Sequence, residues 1–198
     1  MEEIIEINKE HYLKNSVEII RNSFKTVSLE FGLNEFNCPT HPSLMTLGRL
    51  LELEKQARLF GLFLTNVQVG FVAIEKANDT LYYMDKLAVL PEYRHKGYGR
   101  KLVKFVLSHV KKHKGEKVSL GMIDESAVLK NWYKQLGFKE AGKKNFEHLP
   151  FTVCFMEKNL LLTGKASYLD YFPGVGFGIR RLLLLLVGPS QATDTINE

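Results

Sequence analysis

A chain of 198 residues fits one well-filled domain and is short for two. Its 45% hydrophobic and 25% charged residues exclude a disordered or fibrous polymer, and no apolar run reaches the roughly 18–20 residues that a bilayer-spanning helix needs. The net charge of +5 is a modest excess, suited to an anionic cofactor, with no nucleic acid expected as the main partner.

Taken in order, Glu3 to Asn8 alternates like a short strand. Asn8 can then cap a helix whose apolar positions are Tyr12, Leu13, Val17, Ile19 and Ile20. From Ser23 to Ser43 the pattern breaks into a long connection, of a length often used to shape a pocket. Ser43 to Gln56 reads as a second helix with Leu44, Leu47, Leu50 and Leu51 inward. Two strand-like runs, Arg58 to Thr65 and Gln68 to Lys76, are followed by a third, Tyr82 to Leu90, making an antiparallel meander. A helix opens near Gly99, with Leu102, Val103, Val106, Leu107 and Val110 on its apolar face. Lys117 to Met122 is the next strand. A helix through Leu129, Trp132, Tyr133 and Leu136 stops at Gly137, and a hairpin closes around residues 145–150. The strand before Pro91, its crossover helix and the strand at Lys117 form a βαβ unit that pairs in parallel. The expected class is therefore α/β, a mixed and largely antiparallel sheet flanked by about four helices. Residues 1–160 form the domain. Residues 161–198 are an extension of uncertain order, for which a docked helix and a membrane-surface anchor are alternatives.

The loop Arg94-His95-Lys96-Gly97-Tyr98-Gly99 lies between a strand end and a helix start. Several backbone N–H groups there lack an intrahelical partner, and the helix dipole adds roughly half a positive charge. An anion is the natural ligand. Two glycines allow close approach of the main chain, and Arg94, His95, Lys96, Arg100 and Lys101 supply cations. The loop is not a Walker loop, and Leu102 stands where a dinucleotide fingerprint needs a small residue.

Leu87-Ala88-Val89-Leu90-Pro91-Glu92-Tyr93-Arg94-His95-Lys96-Gly97-Tyr98-Gly99, followed by Trp132-Tyr133-Lys134-Gln135-Leu136-Gly137-Phe138, resembles the GNAT superfamily of acyl-CoA-dependent N-acetyltransferases over about residues 1–160. The resemblance implies that acetyl-CoA is the cosubstrate, with no metal, and that the backbone of Arg94 to Gly99, with Arg100, binds the coenzyme A pyrophosphate. It also implies that the fourth and fifth strands splay to admit the pantetheine arm. Main-chain groups along Leu87, Ala88 and Val89 would then pair with that arm, and the Leu87 N–H would stabilise an oxyanion. Where the family often carries Asn for a cofactor contact, this chain has Ser126. The Gly174-Val175-Gly176-Phe177-Gly178 stretch lies outside the resemblance.

Tyr133 is the candidate general acid, because a phenol of pKa near 10 can hand a proton to a departing thiolate of about 8.5. The alternative is core packing beside Trp132. An alkyl ammonium is only about one part in 2,500 neutral at pH 7, a cost of roughly 4.6 kcal/mol. Asp85 is the sole carboxylate on the central strand, two residues before Leu87 and so expected on the same face, where it would take that proton directly or through water, with simple pairing beside Lys86 and Arg94 as the alternative. Tyr83 shares the face, and His41 and His148 lie in loops that would border the cleft. His109 and His113 have a zinc-compatible spacing, but a solvated helix face is the better reading. Cys38 and Cys154 show no sequence-adjacent His partner, which disfavours a covalent acyl intermediate.

The expected function is acetyl transfer to a primary amine of a small molecule or peptide by direct attack, with a non-catalytic acyl-CoA-binding or regulatory module as the alternative. Two isolated cysteines and an acidic, h-region-free N-terminus point to the cytoplasm. A homodimer is a possible assembly.

Overall fold

The computed structural model describes residues 1–160. Seven strands form one sheet in the order β1-β2-β3-β4-β5-β7-β6. They are β1 (Glu2–Glu6), β2 (Ala57–Leu64), β3 (Val67–Lys76), β4 (Leu81–Val89), β5 (Lys117–Ile123), β6 (Lys139–Asn145) and β7 (Thr152–Asn159). The helices are α1 (Glu10–Glu30), α2 (Leu47–Glu54), α3 (Tyr98–Lys112) and α4 (Ala127–Gln135). Every strand pair is antiparallel except β4 with β5. The expected class is the observed one. The readings of 161–198 and of the glycine run at 174–178 lie outside the described residues. Among the described residues no helix is long and apolar enough to cross a membrane.

Two apolar layers sandwich the sheet. Leu102, Val103, Val106 and Val110 of α3, with Tyr133 and Leu136 of α4, pack on one face. On the other, Leu13, Val17 and Ile20 of α1, with Leu50 and Leu53 of α2, cover Leu59, Phe71 and Ala73. The helices pack because each carries its apolar side chains as a single stripe at three- and four-residue spacing.

Several local expectations are corrected. Helix α1 begins after Lys9, not Asn8, with no side-chain cap, and runs through Phe24 to Glu30. Phe24, Val27 and Phe31 continue the helical spacing, and the chain turns only where Gly32 takes φ +64°. Helix α2 is capped by Thr46, whose Oγ1 accepts from the Arg49 amide at 3.3 Å. Leu51 points outward, 40% exposed. The β2–β3 hairpin turns on Thr65 and Asn66, both at positive φ, the geometry of a tight two-residue turn.

The α1–α2 connection is tied down. The Arg49 guanidinium donates to the carbonyls of Leu44, at 3.2 Å, and Thr40. His41 is buried, its Nδ1 2.8 Å from the Ser43 hydroxyl. Burial, with repulsion from Lys86 and Arg49, pulls the His41 pKa from 6.5 down to about 4. The unfolded chain therefore takes up a proton below pH 6.5 that the folded chain refuses. This part of the stability is whole above pH 6.5 and is lost as the pH falls toward 4, up to about 3 kcal/mol. Urea midpoints are expected to drop across that window, and to drop less in His41→Gln. An identical drop in the variant would assign the acid sensitivity elsewhere.

Candidate active site

The parallel ladder between β4 and β5 is short. Leu81 pairs with Lys117, Tyr82 with Val118 and Tyr83 with Ser119, and there the pairing ends although both strands continue. Beyond this fork one edge of β4 has no strand beside it among the described residues. Leu90 donates its amide to Val69 O at 3.0 Å, and a Cβ on Gly70 would lie 3.0 Å from Ala88 O, so residues 88 and 90 turn their main-chain groups toward β3. Because these groups alternate along a strand, those of Leu87 and Val89 face the fork.

A bulge sets this arrangement. Ala73 is opposite Asp85 and Phe71 opposite Ala88, so β4 holds one residue more than β3 over that interval, and Lys86 takes φ +50°. Alternation slips at that point. Tyr82, Met84, Leu87 and Val89 pack on the α3–α4 side, whereas Tyr83 and Ala88 pack on the α1–α2 side. The expected sharing of a face by Asp85 and Leu87 is therefore corrected: two residues apart normally means one face, and the bulge separates them. Asp85 is also engaged. Its Oδ1 accepts from the Lys86 amide at 2.8 Å and its Oδ2 from Lys86 Nζ at 2.7 Å, with both side chains largely buried.

At the C-terminal end of β4, Pro91–Tyr93 makes a single 3-10 turn and α3 starts at Tyr98 after Gly97, at φ +86°. Gly97 is needed for that conformation, with nothing near its Cα that a side chain would strike. Gly99 serves packing instead, because a Cβ there would stand 3.3 Å from Trp132 Cζ2. The start of α3 thus leans directly on α4. Lys96, Gly97, Tyr98, Arg100, Lys101 and Lys104, with Glu2 paired to Lys101, line a surface hollow of about 310 Å³. His95 lies in the same loop at φ +60°. Arg94 is the exception among the expected rim cations. Its guanidinium turns inward and donates to Val89 O (3.2 Å), Thr26 Oγ1 (3.0 Å) and Ser23 O (2.6 Å), so it braces the loop against α1.

Tyr133 is buried between Trp132 and Phe138, ring centroids 4.9 and 5.6 Å away, both edge-on. Burial first, and the Asp85 charge second, push its pKa up, which keeps the phenol protonated at neutral pH. Ser126 is the N-cap residue of α4, but its side chain makes no cap bond. A second hollow, of about 360 Å³, opens between the α1–α2 and β6–β7 connections and is lined by Phe36, Asn37, Pro39, Glu147, His148, Leu149 and Pro150.

Residues 55–140 match a family model described as an acetyltransferase (GNAT) domain. Over that stretch the chain is similar to GNAT acetyltransferases. A search of curated proteins returns no match. Among solved structures, the ribosomal-protein-S18-alanine N-acetyltransferase from Escherichia coli is 17% identical, with TM-score 0.66 over 85% of this chain and 99% of that one. The PaiA N-acetyltransferase from Thermoplasma acidophilum, solved in complex with coenzyme A, is 19% identical, with TM-score 0.64 over 80% and 99%. A GNAT family acetyltransferase from Elizabethkingia anophelis with acetyl-CoA bound is 12% identical, with TM-score 0.57 over 80% and 98%. At these identities the likeness is one of fold.

In the described residues the fork leaves Leu87 and Val89 on an edge with no neighbouring strand, and the Gly99–Trp132 contact sets the cationic loop against the helix that carries Tyr133. Ala88 is turned away, its side chain among the α1–α2 residues. Tyr83 is likewise on that side, and His41 is locked to Ser43. The His109 and His113 rings stack at 4.3 Å, with His109 Nε2 against Arg58 and His113 Nδ1 on the His109 carbonyl, an arrangement for packing. Pairing with Lys86 was the alternative expected for Asp85, and the α1–α2 connection and the β6–β7 hairpin tip, both expected to border the acceptor cleft, line one hollow. A charged Asp-Lys pair inside an otherwise apolar strand was the available signal for that pairing.

Proposed function

We propose that this protein moves an acetyl group from acetyl-CoA to a primary amine by direct attack. The observation that carries the reading is the fork between β4 and β5, opening beside the cationic start of α3. Backbone amides from His95 to Arg100 hold the pyrophosphate, with Lys96, Arg100 and Lys101 around it, and Arg94 fixes the loop rather than touching phosphate. The Leu87 and Val89 main chains pair with the pantetheine arm as an added strand. Ser126 lies at the start of α4, where its unused hydroxyl is available to the same arm.

In the transfer, the amine nitrogen bonds to the thioester carbon while the Leu87 N–H takes the developing oxyanion, and the C–S bond then breaks. Tyr133 gives its proton to the leaving sulfur, and the one proton shed by the amine nitrogen returns by way of solvent to the tyrosinate, restoring the phenol. Asp85, saturated by Lys86, only adds to the burial that keeps Tyr133 in its phenol form. Residues 1–160 are the working unit. Two buried free thiols, Cys38 and Cys154, fit a reducing compartment such as the cytoplasm.

The saturation of Asp85 favours one rival, an acyl-CoA-binding module without turnover. Thiol release from acetyl-CoA against a panel of primary amines, alongside calorimetry with coenzyme A alone, separates the two. Turnover with micromolar coenzyme A binding is expected. Binding without turnover on any amine establishes the module, and no binding removes both readings.

A further inference from the structure

Gly99 stands inside a helix, where alanine is ordinarily the better residue, and its φ is not left-handed. Its missing side chain therefore answers to a neighbour. Outside its own helix, a Cβ on Gly99 would meet the Trp132 indole and no other group within 4 Å, at 3.3 Å from Cζ2 and 3.5 Å from Cη2. Both atoms belong to the benzene ring of the indole. Trp132 in turn meets the Tyr133 ring edge-on, with 4.9 Å between centroids. One aromatic side chain thus lies between the cationic loop and the candidate acid.

Helix α4 has few other holds. Its nine residues include a single buried side chain, Tyr133 itself, and its N-cap residue Ser126 makes no side-chain cap bond. Lys130 and Lys134 pair with Asp124, in the turn after β5, and with Glu140 of β6. These ties fix α4 to the sheet, whereas Trp132 ties it to the start of α3. Behind the phenol, Phe138 packs at 5.6 Å between centroids and donates its amide to the Tyr133 carbonyl at 3.1 Å. A shift of the loop that moves the indole is therefore passed to a ring with little slack.

We propose that Trp132 is a positioning residue: seated on Gly99, it places the Tyr133 phenol according to the position of the phosphate loop, so that the acid comes into register with the leaving sulfur when the loop holds its anion. This rests on the acetyl-transfer reading and assigns a further residue of the same site. Such a transfer tolerates little displacement, because a group about 1 Å out of place can cost roughly 100-fold in rate. A methyl group at Gly99 would force the indole aside by a smaller distance.

The test compares Gly99→Ala, Trp132→Leu, Trp132→Phe and the double variant combining Gly99→Ala with Trp132→Phe, all in the whole chain. Gly99→Ala is expected to lower kcat about fivefold and Trp132→Leu about 30-fold, with coenzyme A affinity within roughly twofold in both. Phenylalanine keeps an aromatic ring but lacks the reach of the indole. Trp132→Phe should therefore lose less than Trp132→Leu, and the double variant should turn over no more slowly than Trp132→Phe alone. A second readout is independent of activity. Protein labelled with 3-fluorotyrosine is titrated with adenosine 3′-phosphate 5′-diphosphate, which carries the phosphates of the coenzyme and no pantetheine, and the Tyr133 fluorine signal is identified by its loss in Tyr133→Phe. That signal should move on saturation in the wild type and stay still in Trp132→Leu.

A packing role alone predicts a lower melting temperature in Trp132→Leu with kcat and the fluorine response as in the wild type. That result overturns the assignment, as do losses that simply multiply in the double variant. A fluorine response that depends on Trp132, in a protein that acetylates no amine, upholds the coupling and defeats the transfer reading. Turnover with kcat unchanged in both Gly99→Ala and Trp132→Leu does the reverse.

Discussion

Tyr133→Phe is expected to lower kcat by about 10²–10³-fold while leaving coenzyme A affinity within roughly twofold, the loss typical of removing a general acid. The substitution is mild for the fold. The ring keeps its edge-on contacts with Trp132 and Phe138, so the apolar layer under α4 is unchanged and only one oxygen is lost. A structural role alone predicts the opposite pattern, a shifted melting temperature at constant kcat. The upward pressure on the phenol pKa sharpens the test, because wild-type activity should then show no loss from phenol ionisation up to at least about pH 10. Unaltered turnover in the variant would remove Tyr133 from the chemistry.

Lys86→Met is expected to be the most damaging single change to stability, about 3–5 kcal/mol, because it leaves the Asp85 carboxylate buried without its ammonium. For a domain of this size that corresponds to a fall in Tm of roughly 10 °C. The comparison that decides it is the double variant with Asp85→Asn. Removing the charge along with its partner should recover most of the loss, since an ion pair taken from water gains little over a neutral replacement. A loss below about 1 kcal/mol in the single variant would show that water reaches Asp85 and that the pair is effectively a surface contact.

Much of the fold was legible because it is written in periodicity. The change from short, near-continuous apolar runs in β2 to β4 to helical spacing in α3 locates the crossover, and a crossover fixes a parallel pair. The fork was legible only through the resemblance. No spacing of side chains announces that a ladder will stop after Tyr83 and Ser119. The bulge at Lys86 was not legible either, since a lysine at positive φ has no sequence signature, and one inserted residue was enough to send Asp85 and Leu87 to opposite faces. Arg94 shows a related limit. A basic residue beside a glycine turn looks like an anion ligand, and only the nearness of α1, distant in sequence, reveals that three oxygens already hold it. The extent of α1 could have been read from Phe24, Val27 and Phe31, had the intervening polar residues not masked their spacing.

The inward turn of Arg94 reaches beyond the loop it braces. Its guanidinium joins the cationic loop to α1, and α1 runs into the connection that carries Phe36. The cationic loop and that connection therefore belong to one mechanical unit. A ligand that orders the loop should therefore also steady the α1–α2 connection, and under the proposed transfer this would show as lower hydrogen-exchange rates around Phe36 when coenzyme A is added.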